Sequence, residues 1–185
     1  MLRLDPWTYV VLAALIVLLP VPWLLAAVAA AAVHEAAHLL AIRLCRGHVL
    51  DVRVGPGGAV IEGSLAGERQ ELFCALAGPM GSLLLLLTCR IAPRLALCGL
   101  VQGCFNLLPV YPLDGGRALR CALKLCFPKR GEAVYRWVEL AAVLLFLFLI
   151  AASRLGWAVK LLALLALCRG LMRKRPCKSR QSRVQ

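Results

Sequence analysis

His34, Glu35 and His38 lie together in "VAAAAVHEAAHLLAIRL" (28–44), a stretch apolar enough to sit in lipid. Residues i and i+4 share one face of a helix, one turn apart, so His34 and His38 can hold one Zn²⁺ between them. Glu35 then stands beside the metal, placed to take a proton from water and return it to a leaving amine. HExxH on a helix is therefore a metalloprotease pattern with a mechanism behind it. A chance origin is costly in this setting. An ionisable group at mid-membrane costs about 2.5–3.5 kcal/mol on insertion scales and usually marks function.

A catalytic zinc takes three protein ligands and keeps one position open. The chain has nine acidic residues and three histidines, so the candidates for the third ligand are few. The best is Asp114, in "NLLPVYPLDGGR". Two prolines keep 107–113 from being regular helix. Unwound backbone at membrane depth is tolerated where it lines a cavity or is buried in protein. Asp114 can instead be the N-cap of a basic helix beginning near Gly116. Beside an HExxH short of a ligand, the metal role is favoured. His48, beyond Arg43 and Arg46, reads as a solvated loop histidine. Asn106 is the only asparagine and stands where a helix unwinds; its amide can hold substrate backbone or cap that helix.

The elements that must position these residues are apolar helices. With 62% hydrophobic and 17% charged residues in 185, the chain reads as a polytopic membrane protein with no room for a separate soluble domain. The expected fold is all-α, with about six transmembrane helices and a small β-hairpin between helices 2 and 3. The helices are predicted at about 6–19, 23–44, 70–89, 95–106, 134–152 and 156–172. "AGPMGS" inside the third reads as a kink with close helix packing. In the hairpin, Leu50, Val52 and Val54 alternate with Asp51 and Arg53 before "GPGG" turns the chain. Its edge near Val52, and the unwound segment around Pro109, are the expected clamps on an extended substrate.

Charge sets the expected orientation. Only Arg90, Arg94 and Arg154 fall outside if both termini are cytoplasmic, so the positive-inside bias favours that arrangement. Both halves of the site then fall in the cytoplasmic half of the bilayer. The net charge of +13 is concentrated in the tail that ends at Gln185, which fits a topology signal touching anionic lipid. That tail lacks the interleaved aromatics of a single-strand binder, so nucleic acid is not expected as a partner. The nine cysteines form no CxxC and read as reduced, structural residues. The N-terminal apolar run is long and broken by prolines, which argues against a cleaved signal peptide. The domain expected is 1–172, a metalloprotease core, followed by a basic cytoplasmic tail at 173–185.

"HEAAH", "AGPMGS" and "NLLPVYPLDGGR", in this order, resemble the site-2 protease family of intramembrane zinc metalloproteases. The opening "DPWTYVVLAALIVLLP" and the short "GPGGAVIE" make the chain most similar to its sporulation branch, that of stage IV sporulation protein FB. The resemblance covers roughly residues 5–172. It implies one Zn²⁺ held by His34, His38 and Asp114, with Glu35 as acid/base and Asn106 in contact with substrate. It also implies a membrane-associated substrate, a pro-sigma factor in that branch, and membrane proteins that inhibit the enzyme. The branch's C-terminal CBS domain has no counterpart in these 185 residues, and the basic tail is the expected substitute for docking an acidic substrate domain. Two other readings compete. A metal transporter needs a polar path on both sides and often shows inverted repeats, neither of which is visible. An inactive membrane scaffold has no use for Glu35.

Overall fold

The computed structural model describes residues 2–4, 20–55, 58–64 and 67–152. Two compact units divide the chain, Met1–Glu139 and Leu140–Gln185. The first holds the sheet, four helices and the start of a fifth; of the second, the described residues are the helical stretch 140–152.

Helix α1, Val21–Leu44, starts with proline in its first turn, where a missing N–H costs nothing. It ends in a reverse turn in which Gly47 N–H reaches back to Ile42 C=O at 2.9 Å. Arg46 takes the left-handed conformation that this turn requires, with φ 54°. Helix α2, Glu68–Leu84, runs on as a 3₁₀ turn through Leu85–Thr88. Helix α3, Pro93–Asn106, also opens on proline. The irregular segment 107–113 contains a cis Tyr111–Pro112 peptide. It leads into α4, Asp114–Cys126, and α5, Gly131–Ala152.

Small residues let these helices approach closely. A Cβ on Gly81 of α2 would meet Ala37 Cβ of α1 at 2.6 Å, and one on Gly99 of α3 would meet Ser82 C=O of α2 at 2.5 Å. This is how helices associate where apolar side chains gain little by leaving their surroundings. The burial pattern agrees. His34, His38, Ser82 and Asp114 are buried, whereas Leu25, Leu44 and Leu87 are exposed. A water-soluble helix sorts its residues the other way.

Three strands form one sheet in the order β1 (Leu2–Leu4), β2 (His48–Gly55), β3 (Gly58–Ser64). β1 runs parallel to β2, and β2 antiparallel to β3, with an irregularity between Val49 and Asp51.

The expected all-α fold with about six transmembrane helices is corrected by this architecture. The described residues contain five α-helices beside a sheet, and two spans, Val21–Leu44 and Glu68–Thr88, are long and apolar enough to cross a bilayer. The physical reasons are plain for α3 and α4. α3 has 14 residues, about 21 Å at 1.5 Å per residue, against a hydrocarbon core of about 30 Å. α4 is basic and amphipathic. The helices predicted at 6–19 and 156–172, and the basic tail at 173–185, lie outside the described residues.

An ionic network ties the starts of α2 and α5 to the basic face of α4. Arg120 Nε donates to Glu132 Oε2 at 2.9 Å, and Lys124 Nζ lies 3.3 Å from the same oxygen and 3.8 Å from Glu68 Oε1. Burial alone would raise the Glu132 carboxyl, but Arg120 and Lys124 outweigh it and hold the group below the usual carboxylate range. A lowered native pKa stabilises the fold above the unfolded value and loses that effect as pH falls through the native one. Glu132→Gln is therefore expected to lower the melting temperature at pH 7, and the gap to the wild type should close as the pH falls through the lowered native pKa. Thermal scans of the two proteins across that range check it.

Candidate metal centre

The centre is built on two neighbouring helices and the first turn of a third. His34 and His38 project from one face of α1, with ring centroids 4.8 Å apart and planes nearly perpendicular. Facing them on α2 is a matching stripe at four-residue spacing, Cys74, Gly78 and Ser82. His38 Nδ1–H donates to the Cys74 carbonyl at 2.7 Å. His34 Nδ1 lies 2.9 Å from Ser82 Oγ, a hydroxyl able to accept a hydrogen bond from Nδ1–H. Gly78 sits between, against both rings: a Cβ there would collide with His38 Nε2 and come within 2.8 Å of His34 Nε2. The third component, Asp114, arrives from the first turn of α4.

With both Nδ1 atoms protonated, both Nε2 atoms present lone pairs. They converge with Asp114 Oδ2 in a near-equilateral triangle. Each Nε2 is 3.1 Å from Oδ2, and the two nitrogens are 3.2 Å apart. Three buried acceptors pointed at one another repel unless a cation lies among them. Tetrahedral zinc, with bonds of about 2.0–2.1 Å, spaces its ligands about 3.3–3.4 Å apart, close to the edges seen. Donor set, spacing and burial all fit such an ion. The other carboxylate oxygen, Oδ1, faces Arg117 Nη1 at 3.7 Å, which keeps Oδ2 turned to the histidines.

Glu35 is half-buried next to His34, and its Oε2 is closed off from solvent. Asn106 ends α3 with its Nδ2 donating to Gln102 C=O at 3.1 Å, so its amide hydrogens are turned toward its own helix. Pro109 is half-buried in the irregular segment that follows. Val52 lies in the central strand, between Leu2 and Ile61, so the outer edge of the hairpin belongs to β3. His48 begins β2.

Sequence reasoning missed Ser82, Gly78 and the Cys74 carbonyl. Their signal was the four-residue spacing opposite an HxxxH, which only the antiparallel placement of α2 makes meaningful. A partner that donates to or accepts from the far nitrogen of a metal-ligating histidine fixes its tautomer. Ser82→Ala is accordingly expected to weaken zinc binding about tenfold, measured by competition with a chelator.

A second cluster, Glu68, Glu71 and Cys121, has a different character. Burial, reinforced by the negative fields of Glu71 and Glu68, pushes the Cys121 thiol up to about 12, and Lys124 already faces Glu68. It is a protonated thiol within the ionic network, and the described cysteines are all free.

No protein-family model and no curated protein matches this chain. Among solved structures, it is similar to the site-2 protease from Methanocaldococcus jannaschii. That match has a TM-score of 0.68 and 20% sequence identity, and covers 96% of this chain and 92% of the other. Fold and centre thus meet in one conclusion: the chain has the fold of a site-2 protease, with a His–His–Asp triangle at its heart.

Proposed function

We infer that this protein is an intramembrane zinc endopeptidase. The observation that carries the reading is the triangle of His34 Nε2, His38 Nε2 and Asp114 Oδ2, closed on edges of 3.1–3.2 Å beside a shielded Glu35 carboxylate. A bound Zn²⁺ would lower the pKa of water toward about 7 and polarise a substrate carbonyl. The protein's own share is the rest. Cys74 and Ser82 fix both rings, Arg117 fixes the carboxylate, and Glu35 holds the proton on its way from water to the departing amine. Burial of the centre among exposed apolar side chains supports a site inside the bilayer. The distribution of Lys and Arg supports its cytoplasmic half, with termini on that side.

The substrate is then a membrane-associated protein presented as an extended strand, because a helix hides its peptide bonds. Asn106, Pro109 and the sheet that contains Val52 are its contacts. A membrane-tethered transcription regulator, a pro-sigma factor above all, is the substrate class suggested by the resemblance to the sporulation branch, which also suggests membrane inhibitor proteins. Co-expression with candidate pro-sigma factors in a heterologous bacterium, read by immunoblot, tests the activity. Zinc per purified chain is measured alongside. Cleavage with about one zinc per chain is expected. A chain that neither binds zinc nor cuts overturns the reading in favour of a scaffold.

A further inference from the structure

Glu139 is a carboxylate in an apolar helix, 6% exposed, and the reaction described above does not use it. Burying such a group is costly unless its hydrogen bonds are supplied. Two donors converge on one of its oxygens. Tyr135 OH, on a side chain that is 0% exposed and one turn earlier in α5, donates to Glu139 Oε1 at 3.1 Å. The backbone N–H of Tyr111 donates to the same atom at 3.1 Å.

That second bond matters because of where Tyr111 lies. In the segment 107–113, Leu107, Leu108, Val110 and Leu113 give their N–H groups to nearby backbone carbonyls. Pro109 and Pro112 have none to give. The Tyr111 N–H goes to another helix. The segment also presses on the start of α4: a Cβ on Gly116 would meet Tyr111 N at 2.7 Å, and one on Gly115 would collide with Leu107 C=O. Asp114 is three residues after Tyr111 and two before Gly116. Tyr111 is thus packed directly against the turn that carries the carboxylate of the triangle.

We propose that Glu139, aimed by Tyr135, is a positioning residue that staples the 107–113 segment to α5 and so sets the place of Asp114 in the metal centre. The role is one of reach: an oxygen at the end of a side chain of this length, accepting two hydrogen bonds. It rests on the reading of the triangle as a metal site.

The test is a Co²⁺ titration of the full chain in detergent, following the visible absorption of the tetrahedral ion. Glu139→Gln keeps an acceptor oxygen at the same reach and is expected to retain the wild-type spectrum and affinity. Glu139→Asp keeps the charge but withdraws the oxygen by one methylene. It is expected to alter the spectrum and weaken binding about 10- to 100-fold, the usual range for partners of metal ligands. Tyr135→Phe, which removes only the phenol donor, should give a smaller loss in the same direction. Wild-type behaviour in both Glu139→Asp and Tyr135→Phe overturns the staple. So does a loss in Glu139→Gln equal to that in Glu139→Asp, which would make charge the requirement. A wild-type chain with no cobalt band overturns the metal reading itself, an outcome distinct from these.

Discussion

Glu35→Gln is expected to bind zinc as the wild type does and to cut its substrate at least a hundredfold more slowly. The two halves of this expectation have separate causes. Zinc is retained because the three converging atoms belong to His34, His38 and Asp114, and each is held by a group other than Glu35. Glutamine matches glutamate in size and in helix propensity, so α1 and the ring positions are undisturbed. Turnover falls because an amide cannot take the proton from water or return it to the amine. General acid–base catalysis is worth roughly 10²–10⁴-fold, or about 3–5 kcal/mol at 1.36 kcal/mol per decade. The check is a cleavage time course beside metal content per chain. Undiminished cleavage would remove Glu35 from the mechanism; cleavage lost together with zinc would make it a structural residue.

What could be read in the sequence divides along local and non-local lines. HExxH is local: one helical turn puts both imidazoles on one face whatever surrounds them. Asp114 was legible by elimination, since so few acidic residues exist and two prolines mark its segment as unwound. The starts of α1 and α3 were legible to within two residues: they were expected at 23 and 95, and the structure adds proline-led first turns from Val21 and Pro93. The number of membrane-crossing helices was not legible. Apolar composition does not say whether 14 residues cross or merely pack. The supports of the rings were equally hidden. "AGPMGS" reads as a packing motif, and it is one, but the same glycine that admits a neighbouring helix admits the imidazoles of that helix. Nor does any pattern link Glu139 to Tyr111, because their contact depends on how a proline-rich loop folds over another helix.

Gly78 carries the strongest consequence of that hidden geometry. Gly78→Ala is expected to lower zinc affinity at least about 100-fold and to abolish cleavage. The added methyl would collide with His38 Nε2 and stand 2.6 Å from His38 Cε1 and 2.8 Å from His34 Nε2, all closer than real Cβ contacts allow. Neither ring has room to yield, because each is pinned at its other nitrogen, by the Cys74 carbonyl and by Ser82. A swing that escapes the methyl breaks one of those bonds and turns Nε2 away from Asp114. A retreat of α2 as a whole is opposed on its far side, where Gly99 of α3 already lies against the Ser82 carbonyl. Weakened helix formation cannot be the cause of the loss. Alanine is favoured over glycine in a helix interior by about 1 kcal/mol, so the substitution strengthens α2 taken alone. Gly67→Ala is the control, since a Cβ there meets nothing within 4 Å. Zinc retention against a chelator, measured for both variants, separates the cases. Loss at 78 with retention at 67 ties the fourth-residue stripe of α2 to the metal, and retention at 78 would mean that the two helices stand further apart than the close approach at Gly78 requires.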